Sequence, residues 1–86
     1  MKTTPQMVRD FILEGLSCQH IEVDGDGRHF QAVIVSPEFE GKSPLQRHKR
    51  VYEVLGARME QIHALSMQTL TPAQWAERQT GGKQHG

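Results

Sequence analysis

Residues 29–70 restrict the fold of this chain most, because they follow a strand–helix–strand pattern. The run HFQAVIVS (29–36) follows a glycine-rich turn and predicts one strand, and HALSMQTL (63–70) predicts another after a helical segment. Two strands joined through a helix of this length normally become parallel neighbours in one sheet. His29 and His63, the first residues of these runs, are therefore expected at the same rim of the sheet.

The remaining elements follow from helix-start and turn signals. Thr4 and Pro5 predict a helix over residues 5–17, while Ser-Pro-x-Gln at 43–46 and Thr-Pro-x-Gln at 71–74 predict two more helix starts. Residues 19–36 predict a β-hairpin. The order α-β-β-α-β-α predicts an α+β two-layer sandwich, with a three-stranded mixed sheet and the helices packed on one face.

The hairpin turn and the two strands beside it have a clear pattern. Gly25, Asp26 and Gly27 are expected to supply the positive-φ positions of the turn. Ile21 and Val23 alternate with polar residues and face one side. The second strand has apolar residues on both faces, which is typical of a central strand.

The chain is expected to form a single domain over residues 1–79. The tail TGGKQHG (80–86) has nothing to bury and is expected to be disordered. In the middle helix, the apolar spacing predicts an inward stripe, with the basic and acidic residues elsewhere on the helix. This stripe comprises Leu45, His48, Val51, Tyr52 and Leu55.

Composition excludes several classes of protein. Ten basic residues balance ten acidic ones, which disfavours a primary role in binding nucleic acid through its phosphates. No apolar run approaches the roughly 18 residues of a membrane span, and the start MKTTPQMV lacks a signal-peptide core. Cys18 is the single cysteine, so no internal disulfide forms, which favours a reducing cytoplasm.

His29 and His63 are candidate metal ligands because of their shared rim. Taken singly, His29 also fits an exposed histidine beside a turn, and His63 fits a strand-start histidine bonded to a backbone carbonyl. Imidazole nitrogen is a suitable ligand for iron or zinc, but two ligands do not close a tetrahedral site. A lone monomer should therefore hold metal weakly. No nucleophile with a base, carboxylate pair or phosphate loop is present in the sequence, which argues against an enzyme.

The other histidines and aromatic residues have structural interpretations. His48, on the apolar stripe, is expected to be a packed core residue. His20 is out of phase with its apolar neighbours and should face solvent or the outer face of the sheet. Trp75 should anchor the last helix, and Cys18 should be a small buried hydrophobe. His85, in the tail, has no assigned role.

A competing interpretation concerns the basic residues around RHKR (47–50). These could form a recognition face for DNA, following the turn EGKS, although an ordinary solvated helix face fits a neutral chain better. The candidate nucleic-acid-binding residues are Lys42, Arg47, Lys49 and Arg50.

Three segments together resemble the BolA-like proteins: GDGRHFQAVIVS (25–36), FEGKSPLQRHKRVYEVL (39–55) and IHALSMQTLTPAQWA (62–76). The capped helix after the phenylalanine-glycine turn is the most specific of them, and the turn DGDGRHF resembles the bacterial IbaG branch of the family. The resemblance implies a fold like the class II K-homology (KH) domain. The chain lacks the Gly-x-x-Gly loop of that domain, so it gives no support to RNA binding by that route.

The resemblance also implies a partner and a cofactor. BolA-like proteins pair with monothiol glutaredoxins and share a [2Fe-2S] cluster, with thiolates from the glutaredoxin and from glutathione on the other side. The family's two ligand positions fall on His63 and His29. We therefore expect an adaptor in iron–sulfur trafficking or iron sensing, with no cluster held stably by the monomer. The alternative is a DNA-binding regulator of stress response or cell morphology.

The sequence also predicts which of the two histidines is the more rigid ligand. His63 should begin a strand, where ladder bonds hold the backbone, whereas His29 follows a glycine-containing turn that costs entropy to fix. On this basis, His63→Ala is expected to harm a shared cluster more than His29→Ala.

Overall fold

A computed structural model describes residues 2–84 of the chain, with side chains as far as Thr80. The elements occur in the predicted order, with two short 3-10 segments at Pro37–Phe39 and Gly56–Gln61. The helices and strands are α1 (Pro5–Gly15), β1 (His20–Gly25), β2 (His29–Val35), α2 (Pro44–Leu55), β3 (Ala64–Leu70) and α3 (Pro72–Gln84).

Each helix begins at the predicted side-chain cap. The Thr4 hydroxyl accepts a hydrogen bond from the Met7 amide at 3.2 Å. Ser43 and Gln46 form a reciprocal capping box at the start of α2. The same exchange joins the Thr71 and Gln74 pair before α3. These caps satisfy amides that the first helical turn leaves free, so the starts of all three helices are confirmed.

The sheet has the strand order β1-β2-β3. β1 runs antiparallel to β2, and β3 runs parallel to it, with His29 opposite Ala64 and Val35 opposite Leu70. β2 is therefore the central strand, as its two apolar faces predict. The α+β class and the three-stranded mixed sheet are confirmed.

The core lies between the inner face of the sheet and the two helices α1 and α2. Phe30, Ala32 and Ile34 of β2 are buried there. They pack with Val8 and Ile12 of α1, which are fully buried on the helical stripe that the sequence predicts. The rest of the buried apolar cluster comprises Leu16, Ile21, Phe39, Val51, Leu55 and Ile62.

The third helix contacts the outer face of the sheet, opposite the face that packs on α1 and α2. The sequence predicted all helices on one face. The ring of Trp75 stacks on His20, with 4.6 Å between centroids and 20° between planes. Arg78 donates to Gln68 at 2.6 Å. His20 and Gln68 alternate with the inward-facing residues of their strands, so both lie on the outer face. The predicted anchoring role of Trp75 is confirmed, and so is the outer-face position of His20.

The orientation predicted for α2 is partly wrong. Val51 and Leu55 are buried as expected, but Leu45 and Tyr52 are 66% and 42% exposed. Arg47, expected away from the core, is only 9% exposed. α2 is rotated relative to the predicted orientation because the Arg47 guanidinium donates hydrogen bonds to backbone carbonyls beneath the helix. Hydrophobic spacing does not reveal this requirement.

The C-terminal region also differs from the expectation of a disordered tail over residues 80–86. α3 continues to Gln84, so the backbone of residues 80–84 is helical. The last two residues of that tail, His85 and Gly86, lie outside the described residues. Within residues 2–84, no helix is long and apolar enough to span a bilayer.

Candidate functional site

The two candidate ligands lie at the same rim of the sheet. His29 begins β2, and Ala64, which follows His63 directly, begins β3 and lies opposite His29 in the parallel register. The Ala64 amide donates to the Arg28 carbonyl at 3.1 Å, which fixes the two chain segments side by side. His63 itself precedes the strand and forms a bend, so the expectation that it opens the strand is wrong by one residue. Both side chains are exposed.

Asp26 organises the turn that leads into His29. Its carboxylate accepts hydrogen bonds from the amides of Arg28 and His29, both at 2.9 Å, and its own amide donates to the His29 carbonyl at 3.2 Å. The His29 and Arg28 amides are the main reason that the pKa of Asp26 lies below its ordinary value. The backbone of His29 is thus held more firmly than the glycines suggested.

This role of Asp26 was not predicted from the sequence. Asp26 was expected to have a positive φ in the turn, but only glycines have positive φ among the described residues, including Gly25 and Gly27, the latter at 99°. The available signal was the Asx turn, in which an aspartate bonds backbone amides two and three residues further along the chain.

The N-terminal residues connect the segments that precede the two histidines. The Thr3 hydroxyl donates to the Gln61 carbonyl at 2.9 Å, two residues before His63. The Lys2 side chain passes over Gly27, where a Cβ would lie 2.9 Å from the Lys2 Cε. On the His63 side, Ile62 is buried at 4% exposure and anchors the bend. Both histidines therefore project from backbone segments that are fixed to the body of the fold.

Cys18 lies away from this rim. It precedes β1 at the opposite end of the hairpin, where Gln19 donates to the Val35 carbonyl at 2.7 Å. Burial of its thiol, aided by the negative charge of Glu38, raises its pKa to about 11. The thiol is half-buried beside the hydrophobic core, in agreement with its interpretation as a small hydrophobe.

The rim presents two exposed imidazole side chains, those of His29 and His63. Within residues 2–84, no group of three or more histidine, cysteine, aspartate or glutamate side chains is arranged to hold a metal ion. The carboxylate of Asp26, the nearest acidic group in sequence to His29, is engaged by backbone amides. Two imidazoles by themselves do not complete a tetrahedral metal site.

The candidate DNA-binding face is largely engaged in internal contacts. The guanidinium of Arg47 is buried and bonded to carbonyls, so it is not available to a phosphate. Arg50 donates to Glu38 at 3.3 Å and to the Gly15 carbonyl at 3.2 Å. Of the four candidate residues, Lys42 and Lys49 keep ammonium groups without an ion pair among the described residues; they line a shallow groove of about 290 Å³. The inclusion of Arg47 in a recognition face is wrong.

A family model described as BolA-like protein matches residues 12–74 of the chain. The chain belongs to the BolA-like family. The matched range spans the hairpin, α2 and β3, and so contains both rim histidines. Membership confirms the family that the three sequence segments resemble.

Individual BolA-like proteins show the same relationship across nearly the whole chain. Human BolA-like protein 2 is 38% identical over 85 residues, which cover 92% of this chain and 99% of that protein. The acid stress protein IbaG of Escherichia coli K12 is 38% identical over 74 residues, covering 80% and 84%. Among solved structures, a Bol-like protein from Babesia bovis superimposes with a TM-score of 0.80 at 35% identity, covering 90% and 94%.

Proposed function

We propose that this BolA-like chain is an adaptor that pairs with a monothiol glutaredoxin and co-ligates a bridging [2Fe-2S] cluster through His29 and His63. The observation that supports it most is the register of β2 and β3, which brings the two histidines to one rim. The cellular role would be iron–sulfur cluster trafficking or iron sensing. The adaptor would carry out no catalysis of its own.

The donor set explains why a second molecule is needed. The imidazoles of His29 and His63 would occupy half of the four ligand positions of a [2Fe-2S] cluster, and a glutaredoxin cysteine and glutathione would supply the other two as thiolates. Replacement of thiolates by histidines reduces the negative charge on such a cluster and raises its potential. Because imidazole is displaced when it takes a proton, this ligation favours release of the cluster to acceptors.

The structure changes the expected ranking of the two ligands. His29 has its amide and carbonyl bonded to Asp26 and sits within the β2 ladder, while His63 lies one residue before β3. Strand anchoring therefore does not favour His63 over His29. We expect His29→Ala and His63→Ala to lower the cluster absorbance of the complex to a similar degree.

The experiment mixes the protein with a monothiol glutaredoxin, ferrous iron, sulfide and glutathione under anaerobic conditions. A heterodimer on size-exclusion chromatography, with a visible spectrum shifted from that of the glutaredoxin alone, would support the proposal. His48→Ala on α2 is the matched control, because it removes a histidine that is not at the rim. If both rim variants retain the wild-type spectrum, the histidines are not the ligands.

The same protein preparation tests the regulator alternative. Lys42 and Lys49 are the candidate phosphate contacts that remain on the surface. Binding of the isolated protein to duplex DNA that weakens with salt, and is lost in a Lys42→Ala, Lys49→Ala variant, would favour that alternative. Cluster-dependent assembly with glutaredoxin in the absence of DNA binding would favour the adaptor.

A further inference from the structure

One edge of the sheet has backbone groups without a strand partner. β3 is one of the two outer strands in the order β1-β2-β3. The Ala64 amide and the Leu70 carbonyl both bond toward the β2 side, at 3.1 Å and 3.0 Å. The direction of the backbone N–H and C=O groups alternates along a parallel strand. Those of residues 64, 66, 68 and 70 therefore point toward β2, whereas the backbone groups of Leu65, Met67 and Thr69 point away from the sheet at its edge.

Among these outward-facing residues, Thr69 has a bonded carbonyl, which accepts from the Arg47 guanidinium at 3.1 Å. In the described part of the chain, no hydrogen bond to another element engages the backbone of Leu65 or Met67. These two residues therefore present free amides and carbonyls along the middle of the edge, which is the arrangement that accepts an additional strand.

The two edges of the sheet differ in charge. β1, at the other edge, contains His20, Glu22 and Asp24, and charged residues of this kind discourage pairing with another strand. β3 has the sequence ALSMQTL, with no charged residue, proline or glycine. The β3 edge thus lacks the features that normally protect an exposed strand.

An exposed apolar flank of α2 lies beside the same edge. Val54 and Arg50 turn toward α1, where Val54 packs on Gly15. Leu45 and Tyr52 lie on the opposite side of α2 from these residues, as a period of 3.6 residues per turn places them. α1 contacts β1 and α2 contacts β3, so the flank with Leu45 and Tyr52 is on the β3 side.

We propose that the β3 edge pairs with the β3 edge of a second copy of this chain, forming a symmetric dimer with one continuous sheet. In the antiparallel register centred on Ser66, Leu65 of each copy lies opposite Met67 of the other and exchanges both backbone bonds with it. This register uses the free groups of the edge and leaves the Arg47–Thr69 bond intact.

Charge and symmetry favour a second copy as the occupant. An uncharged strand pairs with itself without placing like charges opposite each other, and β1 could not. The chain has a formal net charge of zero, so two copies do not repel. The two-fold axis also sets the α2 helices antiparallel. Leu45 and Tyr52 are about 10.5 Å apart along the helix. Leu45 of each copy would then meet Tyr52 of the other copy across the interface.

Sedimentation velocity over a wide dilution series tests the dimer, with metal-free protein in chelator so that the result does not depend on cluster binding. The expected result is a concentration-dependent doubling of the apparent mass. Hydrogen exchange gives a residue-level readout. The Leu65 and Met67 amides should exchange rapidly in dilute monomer and slowly in the dimer, while the Ser66 and Gln68 amides, bonded to β2, stay protected at both concentrations.

Two variants distinguish specific pairing of the β3 edges from non-specific hydrophobic association. Met67→Pro removes an amide hydrogen that the monomer does not use, a change that an edge strand tolerates, and Tyr52→Lys places a charge on the α2 flank. Both should remain monomeric. Leu13→Lys, at a similarly exposed apolar residue on α1, is the matched control and should still dimerise. A wild-type protein that is monomeric at every concentration would overturn the proposal, as would a dimer that both Met67→Pro and Tyr52→Lys retain.

Discussion

Arg47 should be among the most destabilising positions of the molecule to truncate. Its guanidinium is buried, has no carboxylate partner among the described residues, and donates to four acceptors. Nε donates to the carbonyls of Phe39 and Lys42, at 3.1 Å and 2.9 Å. Nη1 donates to the Thr69 carbonyl at 3.1 Å and to Gln74 Oε1 at 3.0 Å. One side chain thus ties the loop before α2, strand β3 and the start of α3.

The cost of Arg47→Ala follows from these contacts. Hydrogen bonds to a charged donor contribute about 1.5–3 kcal/mol each and are not additive, so we expect a loss of about 3–5 kcal/mol in the free energy of unfolding. For a domain of this size, each kcal/mol lowers Tm by roughly 4–8 °C. Arg47→Lys should recover less than half of the loss, because a single ammonium cannot reach both the acceptors of Nε and the acceptors of Nη1.

Urea unfolding followed by circular dichroism measures this cost, and Lys49→Ala is the control on the same helix. The control removes an exposed cation and should change stability by no more than about 0.5 kcal/mol. If Arg47→Ala unfolds, Arg47→Lys gives the comparison. A loss below about 1 kcal/mol in Arg47→Ala, or full stability in Arg47→Lys, would refute the conclusion that these hydrogen bonds are the main contacts that hold the loop before α2 in place.

Three further predictions concern single polar groups. Asp26→Ala should increase hydrogen exchange at the His29 amide, because the carboxylate that accepts from it at 2.9 Å is removed; unchanged exchange would show that the ladder alone orders the turn. The Ser17 amide and then Arg50 hold the pKa of Glu38 below its ordinary value of 4.5, so its stabilisation is present above that pH and is lost as the pH falls through the folded value. The free energy of unfolding should therefore fall less steeply with decreasing pH in Glu38→Gln than in the wild-type protein, and an identical pH dependence in the acid range would contradict this. Cys18, whose pKa is raised from 9.0 to about 11, should be alkylated roughly a hundredfold more slowly in folded than in urea-unfolded protein at neutral pH, and equal rates would contradict the burial of its thiol.

Local signals in the sequence predicted the elements well because their determinants are close in the chain. The caps at Thr4, Ser43 and Thr71 each use residues within three positions, and all three form. The crossover from β2 to β3 follows from chain geometry and correctly placed His29 and His63 at one rim. Their role as ligands stays a prediction, since it depends on atoms that another molecule would supply.

The orientation of α2 was not predictable from hydrophobic spacing. Leu45 and Tyr52 fit an inward stripe as well as Val51 does, yet the helix turns them outward and buries Arg47. The decisive partners of Arg47, Thr69 and Gln74, lie 22 and 27 residues away in sequence. Only the tertiary arrangement reveals that a cation there is hydrogen-bonded to carbonyls.

The bond from Thr3 to the Gln61 carbonyl, and the passage of Lys2 over Gly27, have a practical consequence for anyone handling the protein. The described N-terminal residues contact the two segments that precede the rim histidines, so a segment fused to the N-terminus would begin near this rim. A polyhistidine purification tag placed there would bring its own imidazoles close to the rim, where they would compete with His29 and His63 for any added metal ion. Metal titrations of this chain are therefore meaningful only after an N-terminal tag has been cleaved away.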